Sequence, residues 1–199
     1  MMKRLLIASR NEGKIIEIRE LFSELDYHVL SLNDLNLKHT VLEDQPDFSG
    51  NSLKKSREIS KLTGEIVLAD DSGLEVDALG GKPGVLSARF AGENATDEEN
   101  NKKLLFLMKD LPPERRTARF RCVLTMYWPD DTYLQTEGIC PGRIGYTPAG
   151  KGGFGYDPIF ILCGYNKTMA ELTMEEKNKV SHRALALKAL TENLRLIEK

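Results

Sequence analysis

The stretch Leu5-Leu6-Ile7-Ala8-Ser9-Arg10-Asn11-Glu12-Gly13-Lys14 decides the fold class. Its first four residues form a short apolar run bounded by Ser9-Arg10-Asn11, which reads as a buried strand. After Glu12 the spacing changes: Ile15, Ile18, Leu21, Phe22 and Leu25 recur at threes and fours and mark one face of a helix. A strand–loop–helix unit opens the chain, which makes the expected class α/β.

The same alternation of elements continues outward. Ser49 to Leu62 predicts a second helix, with Leu53, Ile59 and Leu62 inward and Lys54, Lys55, Arg57 and Lys61 solvated. Ile66 to Ala69 is a further apolar run, expected to stop at Asp70-Asp71-Ser72-Gly73. Leu79 to Gly92 is glycine-rich and too irregular to assign. Thr96 with Glu99 forms a capping box, followed by Leu104, Leu107, Met108 and Leu111 on one face before Pro112-Pro113 ends the helix.

Thr117 to Trp128 alternates, with Ala118, Phe120, Cys122, Leu124 and Met126 on one side and Arg119, Arg121, Thr125 and Tyr127 on the other. Pro129-Asp130-Asp131 supplies a turn and Thr132 to Cys140 returns, so a long antiparallel hairpin is expected. Thr173 with Glu176 caps another helix, and Ser181 caps a second start, after which Ala184, Leu187, Leu190, Leu194 and Ile197 share a face. No repeat or linker interrupts the pattern, so residues 1–199 read as a single domain.

Composition bounds the function. A chain of 199 residues, 41% of them hydrophobic, can bury a sizeable core. Its 28 Lys+Arg against 30 Asp+Glu leave a net charge of −2, without the basic footprint of a dedicated nucleic-acid binder. Cys122, Cys140 and Cys163 form no CxxC or Cys/His cluster, which supports neither a disulfide framework nor a structural zinc site. The apolar stretch after Met1-Met2-Lys3-Arg4 is too short for a signal peptide, and no run approaches the length that spans a bilayer. The expectation is a soluble, cytoplasmic protein that binds no membrane.

Four polar, glycine-bearing places could carry chemistry. Ser9 to Lys14 joins strand to helix; helix-start N–H groups and a first-turn lysine make a phosphate cradle, although Asn11 could equally be a plain N-cap. Asp70 and Asp71 leave a buried strand, where two carboxylates are costly without a cation or donors, and such hard oxygens suit Mg²⁺ bridging to phosphates. The bland reading of that pair is an Asx-type turn, and Glu43-Asp44 adds a second acidic pair.

The third place, Gly150 to Pro158, nearly matches two motifs and satisfies neither. Gly150, Gly152 and Gly155 fit GxGxxG, but a strand-like Asp157-Pro158-Ile159-Phe160 follows where a dinucleotide fold needs a helix. Gly145 to Gly152 approaches a Walker A loop, yet Gly152 stands where the magnesium-binding hydroxyl belongs. A glycine loop remains, with Phe154 and Tyr156 available to stack on a flat ring, or else a structural turn. The fourth place gathers Lys177, Ser181, His182 and Arg183 around a helix start, suited to an anion or a base edge.

In order along the chain stand Ser9-x-Asn11-x-x-Lys14, Ala69-Asp70-Asp71-Ser72-Gly73-Leu74, Gly80-Gly81-x-Pro83-Gly84, Ser87-Ala88-Arg89, Gly152-Gly153-Phe154-Gly155-Tyr156-Asp157-Pro158 and Ser181-His182-Arg183. This ordered set resembles the inosine triphosphate pyrophosphatase family over essentially the whole chain. The resemblance implies hydrolysis of ITP, dITP and XTP to monophosphate and pyrophosphate, a Mg²⁺ requirement and a homodimer. It also implies a two-lobed α/β fold with a long curved mixed sheet, flanking helices and a central cleft.

Carried over by position, Ser9, Arg10, Asn11, Glu12, Gly13 and Lys14 hold the triphosphate. Asp71 is the general base and a metal ligand, with Asp70 beside it, and Ser72 touches substrate. Phe154, Gly155, Tyr156, Asp157, Lys177, His182 and Arg183 hold base and sugar. The remaining metal ligand maps to Glu43, with Asp44 a competitor because Glu43-Asp44-Gln45-Pro46-Asp47-Phe48 departs from the family's more usual Glu-x-Gly-x-Thr-Phe. Arg10 departs too, standing where a small residue is common. The rival readings are a nucleoside triphosphate pyrophosphatase of other base preference, a non-catalytic nucleotide sensor or nucleic-acid-binding module, and a structural scaffold, which leaves the four polar clusters without a purpose.

Overall fold

The computed structural model describes residues 3–23 and 25–197, without the side chain of residue 197. The expectation for Met1 and Met2, and the place of Ile197 on its helix face, lie outside the described residues. Strand β1 (Lys3–Ile7) leads into helix α1 (Glu12–Phe22) and strand β2 (Tyr27–Ser31). Helix α2 (Phe48–Thr63) precedes β3 (Ile66–Val76), and α3 (Asp97–Leu107) precedes the hairpin β4 (Thr117–Tyr127) and β5 (Tyr133–Ile144). A short β6 (Phe160–Leu162), α4 (Met174–Val180) and α5 (His182–Ile197) complete the described chain.

The strands form one mixed sheet in the order β2-β1-β3-β4-β5-β6. β1 runs parallel to both β2 and β3, with Ile7 opposite Ser31 on one side and Leu68 on the other. β5 and β6 are antiparallel. Parallel neighbours need a crossover, and the helices α1 and α2 supply it. This is the α/β mixed sheet with flanking helices that the sequence predicts.

By their contacts the residues fall into two compact units. The first comprises Met1–Asp71, Cys122–Gly138 and Arg183–Lys199, and the second Ser72–Arg121 and Ile139–His182. In the first, Ile15, Ile18 and Phe22 of α1 pack with Leu5 and Ile7 of β1, Cys122, Leu124 and Met126 of β4, and Leu187, Leu190 and Leu194 of α5. A smaller cluster joins Leu6, Ala8, Leu32, Ile59, Val67 and Ala69. The core of the second unit is built on Leu74, Val76, Leu104, Met108, Phe120, Ile144, Tyr156 and Phe160. Cys122 is core, as its place on the apolar side of its strand suggests.

Three elements differ from their sequence expectation. β3 does not stop at the two aspartates but runs through Asp70-Asp71-Ser72-Gly73 to Val76. A buried carboxylate is tolerated within a strand when it is paired, and here Asp70 finds two cations. α2 turns a small polar face inward, burying Asn51, Ser52, Ser56 and Ser60 beside Ile59, while Leu62 is exposed. Those hydroxyls find acceptors, as Ser52 donates to the Ala69 carbonyl and Ser60 to that of Glu65. Asp157–Ile159 is a 3-10 turn, and only Phe160–Leu162 is strand.

Both capping boxes, Thr96/Glu99 and Thr173/Glu176, form as expected. β2 and the short 3-10 turns within residues 77–89 carried no legible period. Among the described residues no helix is long and apolar enough to cross a membrane.

The helical period in α5 generates a direct contrast. Leu190 is fully buried whereas Leu196 is 70% exposed. Leu190→Ala is expected to lower the unfolding free energy by about 2–5 kcal/mol, and Leu196→Ala by no more than about 0.5 kcal/mol. Urea denaturation of the two variants checks this, and equal losses would contradict the assigned face.

Candidate active site

In the first unit the loop after β1 builds the head of α1. Asn11 caps the helix, its side chain accepting from the Lys14 N–H at 3.0 Å, and its own N–H donates to Ser9 Oγ at 3.1 Å. The cap forms, and it fixes a helix start whose first N–H groups have no intrahelical acceptor. Glu12 is held by Asn33 Nδ2 at 2.7 Å. Arg10 spends its guanidinium on the Leu37 and His39 carbonyls, at 2.6 and 2.8 Å, tying down the loop that follows β2.

Lys14 points to the strand beside it. Its Nζ lies 2.5 Å from Asp70 Oδ1, while Arg183 Nε lies 2.7 Å from Asp70 Oδ2 and Arg183 Nη1 pairs with Glu17. Asp70, Glu17 and Arg183 are buried, and the four groups cancel in charge, as buried charges must. Burial alone favours the neutral acid at Asp70, but the Arg183 and Lys14 cations hold its carboxyl well below the usual range. Burial likewise pulls Lys14 down, and Asp70 more than offsets it, leaving Lys14 more firmly protonated. Burial and the neighbouring Asp70 push the Cys122 thiol up, so it stays protonated with its Sγ 3.3 Å from Asp70 Oδ2.

Asp71 is in the opposite condition. It is 6% exposed, and its Oδ2 is buried with no hydrogen-bond partner among the described residues. Burial pushes its carboxyl up to about 6, against the pull of Lys55 and Lys14 and with a further push from Glu43 and Asp70. Lys55 pairs with Glu43 and donates to the Asp70 carbonyl at 3.1 Å. With Lys14, Arg183, Asp70 and Glu17 neutral as a group, and Lys55 matched by Glu43, Asp71 is the surplus negative charge.

No three His, Cys, Asp or Glu side chains cluster as a metal cage among the described residues. Mg²⁺ does not need one: it is held by one or two carboxylates together with substrate phosphates. An unmet buried oxygen on Asp71, with the Glu43 carboxylate close enough to raise its pKa, fits such an ion. Asp44 is instead engaged by Lys54 and Gln45, each at 2.7 Å.

The second unit carries the glycine loop. Asp157 is buried; its Oδ2 accepts from Lys177 Nζ at 2.6 Å and from the Phe154 N–H at 3.0 Å. Lys177 Nζ also sits 5.0 Å from the centre of the Phe154 ring, a cation–π distance. Gly153 has φ +71°, and a Cβ there would lie 2.0 Å from Asp157 Oδ2, so the carboxylate can enter only because the residue is glycine. His182 stacks on Phe120 with ring centres 4.7 Å apart and planes 15° apart. Ser72 lies half-buried within β3.

The sequence-predicted residues thus divide. Ser9 to Lys14, Glu43, Asp70, Asp71 and Arg183 lie in the first unit; Ser72, Phe154 to Asp157, Lys177 and His182 lie in the second. Tyr156 differs from expectation: it is buried in the core with its hydroxyl on the Ser87 carbonyl at 2.8 Å, so its ring is not available for stacking, whereas Phe154 is half-buried. Arg183, expected beside base and sugar, is 1% exposed and held by two carboxylates. Lys55, expected to be solvated, is half-buried between Glu43 and the Asp70 carbonyl. Its signal was its place on α2 three and four residues beyond Ser52 and Asn51, once those polar residues are recognised as the buried face.

Residues 5–193 match the model of the Ham1 family. The dITP/XTP pyrophosphatase of Desulforamulus reducens is 48% identical over 191 residues, covering 96% of this chain and 95% of that protein. That of Bacillus subtilis is 45% identical over 194 residues, covering 98% of each. The structure of the Staphylococcus aureus Ham1 protein superposes with a TM-score of 0.87 at 42% identity, over 99% of this chain and all of that one.

The isolation of Asp71 has a measurable consequence for stability. Its folded value of about 6 lies above the 3.8 of the unfolded chain. Stability that is fully present below pH 3.8 is therefore lost as pH rises through 6. Without metal, Asp71→Asn is expected to be more stable than the parent at pH 8, by about 2–3 kcal/mol, and to match it near pH 4. Denaturant titrations in EDTA at both pH values check this; destabilisation at both would contradict it.

Proposed function

Since the chain belongs to the Ham1 family, we propose that it hydrolyses deaminated purine nucleoside triphosphates (ITP, dITP and XTP) to the monophosphate and pyrophosphate, clearing them from the nucleotide pool. The observation that carries this reading is the charge arrangement in the first unit. A protonated lysine stands at a capped helix start, and one buried carboxylate beside it has an oxygen without a partner. The near-full-length likeness to dITP/XTP pyrophosphatases supports the substrate class.

Asp71 and Glu43 would hold the Mg²⁺ ion. Bound there with the substrate, it supplies positive charge against the phosphate oxygens as charge builds in the transition state. Lys14 and the first N–H groups of α1 add fixed positive potential where the leaving pyrophosphate gathers charge. Asp71 orients or deprotonates the attacking water. Asp70 takes no ligand role in this scheme, because Lys14 and Arg183 occupy both its oxygens; it and Arg183 position Lys14.

In the second unit, Phe154 presents the aromatic face for the base, held by the Asp157–Lys177 pair. His182 presents a ring edge fixed by Phe120. Donors aimed at O6 of a 6-oxo purine are left facing another donor when adenine enters, which is a strong penalty. The resemblance further assigns a homodimer without nucleic-acid partners, for which sedimentation at micromolar concentration should give twice 22.4 kDa.

The deciding assay is pyrophosphate release from ITP, dITP, XTP, GTP and ATP, with Mg²⁺ and with EDTA. Metal-dependent release from the first three, at about a hundredfold or more over GTP and ATP, is expected. Equal turnover of all five would overturn the base preference, and no release would overturn the enzyme. Asp71→Asn is expected to lose about a hundredfold or more in kcat, and near-parental turnover would remove Asp71 from its role.

A further inference from the structure

Helix α3 has no place in the scheme above, yet it grips the glycine loop at a single residue. The Gly155 N–H donates to Asp97 Oδ2 at 2.7 Å, and Asn101 Nδ2 donates to the Gly155 carbonyl at 2.9 Å. Asp97 and Asn101 are four residues apart, so they stand one above the other on one face of the helix. Gly155 has φ +60°, a left-handed conformation in which a side chain is strained. In that conformation both of its polar backbone groups meet α3.

Two further observations make this more than a chance contact. Asn101 is buried, and its Oδ1 has no hydrogen-bond partner among the described residues. Through its Nδ2 this buried side chain holds Gly155. The helix is itself fixed on the same side. The Thr96/Glu99 capping box sets the start that places Asp97, while Asn100 accepts from the Ala91 N–H at 2.8 Å and donates to the Ala88 carbonyl at 3.1 Å. Tyr156, next to Gly155, closes the circuit through its hydroxyl on Ser87. Helix, 84–91 segment and glycine loop are thus each tied to the other two.

We infer that Asp97 and Asn101 are positioning residues that set the shape of the Phe154–Asp157 loop, and through it the affinity for the nucleoside part of the substrate. The inference rests on the proposed function, in which Phe154 faces the base. The Phe154 ring and the Asp157 carboxylate flank Gly155 in sequence, so releasing either end of the Gly155 grip shifts both. The proposed phosphate-binding residues, Ser9 to Lys14, belong to the first unit, whereas Asp97, Asn101 and Gly155 belong to the second.

The test compares two probes, inosine monophosphate and inorganic pyrophosphate, by calorimetric titration of the full-length protein. Asn101→Ala is expected to weaken inosine monophosphate binding about tenfold and Asp97→Ala about fivefold, in the range of one lost hydrogen bond. Pyrophosphate binding should stay within about twofold of the parent. Asp97→Asn, which keeps an oxygen for the Gly155 N–H, should restore inosine monophosphate binding. With ITP as substrate, the single alanine variants should raise KM more than they lower kcat.

Equal weakening toward both probes, or no rescue by Asp97→Asn, overturns the inference in favour of a general structural role. A parent that binds inosine monophosphate while every variant matches it overturns the inference alone. A parent that binds pyrophosphate but not inosine monophosphate overturns the base-site reading beneath it. Should Asn101→Ala fail to fold, the exposed Asp97 pair of variants decides the matter on the same criteria.

Discussion

The neutral quartet of Lys14, Asp70, Arg183 and Glu17 is the constraint on which the first unit depends. It links the first turn of α1, the middle of β3 and the first turn of α5, three elements far apart in sequence. Unbalanced charge in that space would be costly, and removing any one member leaves an uncompensated buried ion, a loss of about 3–5 kcal/mol. The quartet also explains how β3 continues through two aspartates. Asp70 is neutralised on one side of the strand, and Asp71, the next residue, faces the other way by the two-residue period.

From this arrangement the functional asymmetry follows. Adjacent, identical side chains meet opposite fates because one receives two cations and the other is merely buried. Asp70 becomes a permanent anion that pins Lys14, whereas Asp71 is pushed up to about 6 and keeps an oxygen without a partner among the described residues. A site that is to bind a cation and a polyanion together needs both conditions: fixed positive charge for the phosphates and a surplus carboxylate for the ion. In the second unit the logic repeats on a smaller scale, with the buried Asp157–Lys177 pair holding the Phe154 backbone and lying against its ring.

Much of this was legible in the sequence, and the exceptions share a cause. Periodicity and capping chemistry act locally, so α1, the β4–β5 hairpin, both capping boxes and the buried face of α5 could be read directly. Partners distant in sequence cannot be read that way. Asp70 meets Arg183 across 113 positions and Lys14 across 56, and without those contacts Asp70-Asp71 looks like the end of a strand. The inward face of α2 misled for a related reason: Asn51, Ser52, Ser56 and Ser60 are polar, and only their acceptors make them core. The motif resemblance assigns both aspartates to the metal and Arg183 and Tyr156 to the base; it carries no sign that Asp70 and Arg183 pair with each other or that Tyr156 is buried in the core.

Metal titration of two variants separates the roles of the two aspartates. Mg²⁺ binding to Asp70→Asn and Asp71→Asn would be measured by calorimetry on protein shown to be folded by circular dichroism. Asp71→Asn is expected to lose Mg²⁺ affinity by about tenfold or more, while Asp70→Asn stays within about threefold of the parent. Loss in Asp70→Asn with retention in Asp71→Asn would contradict those roles.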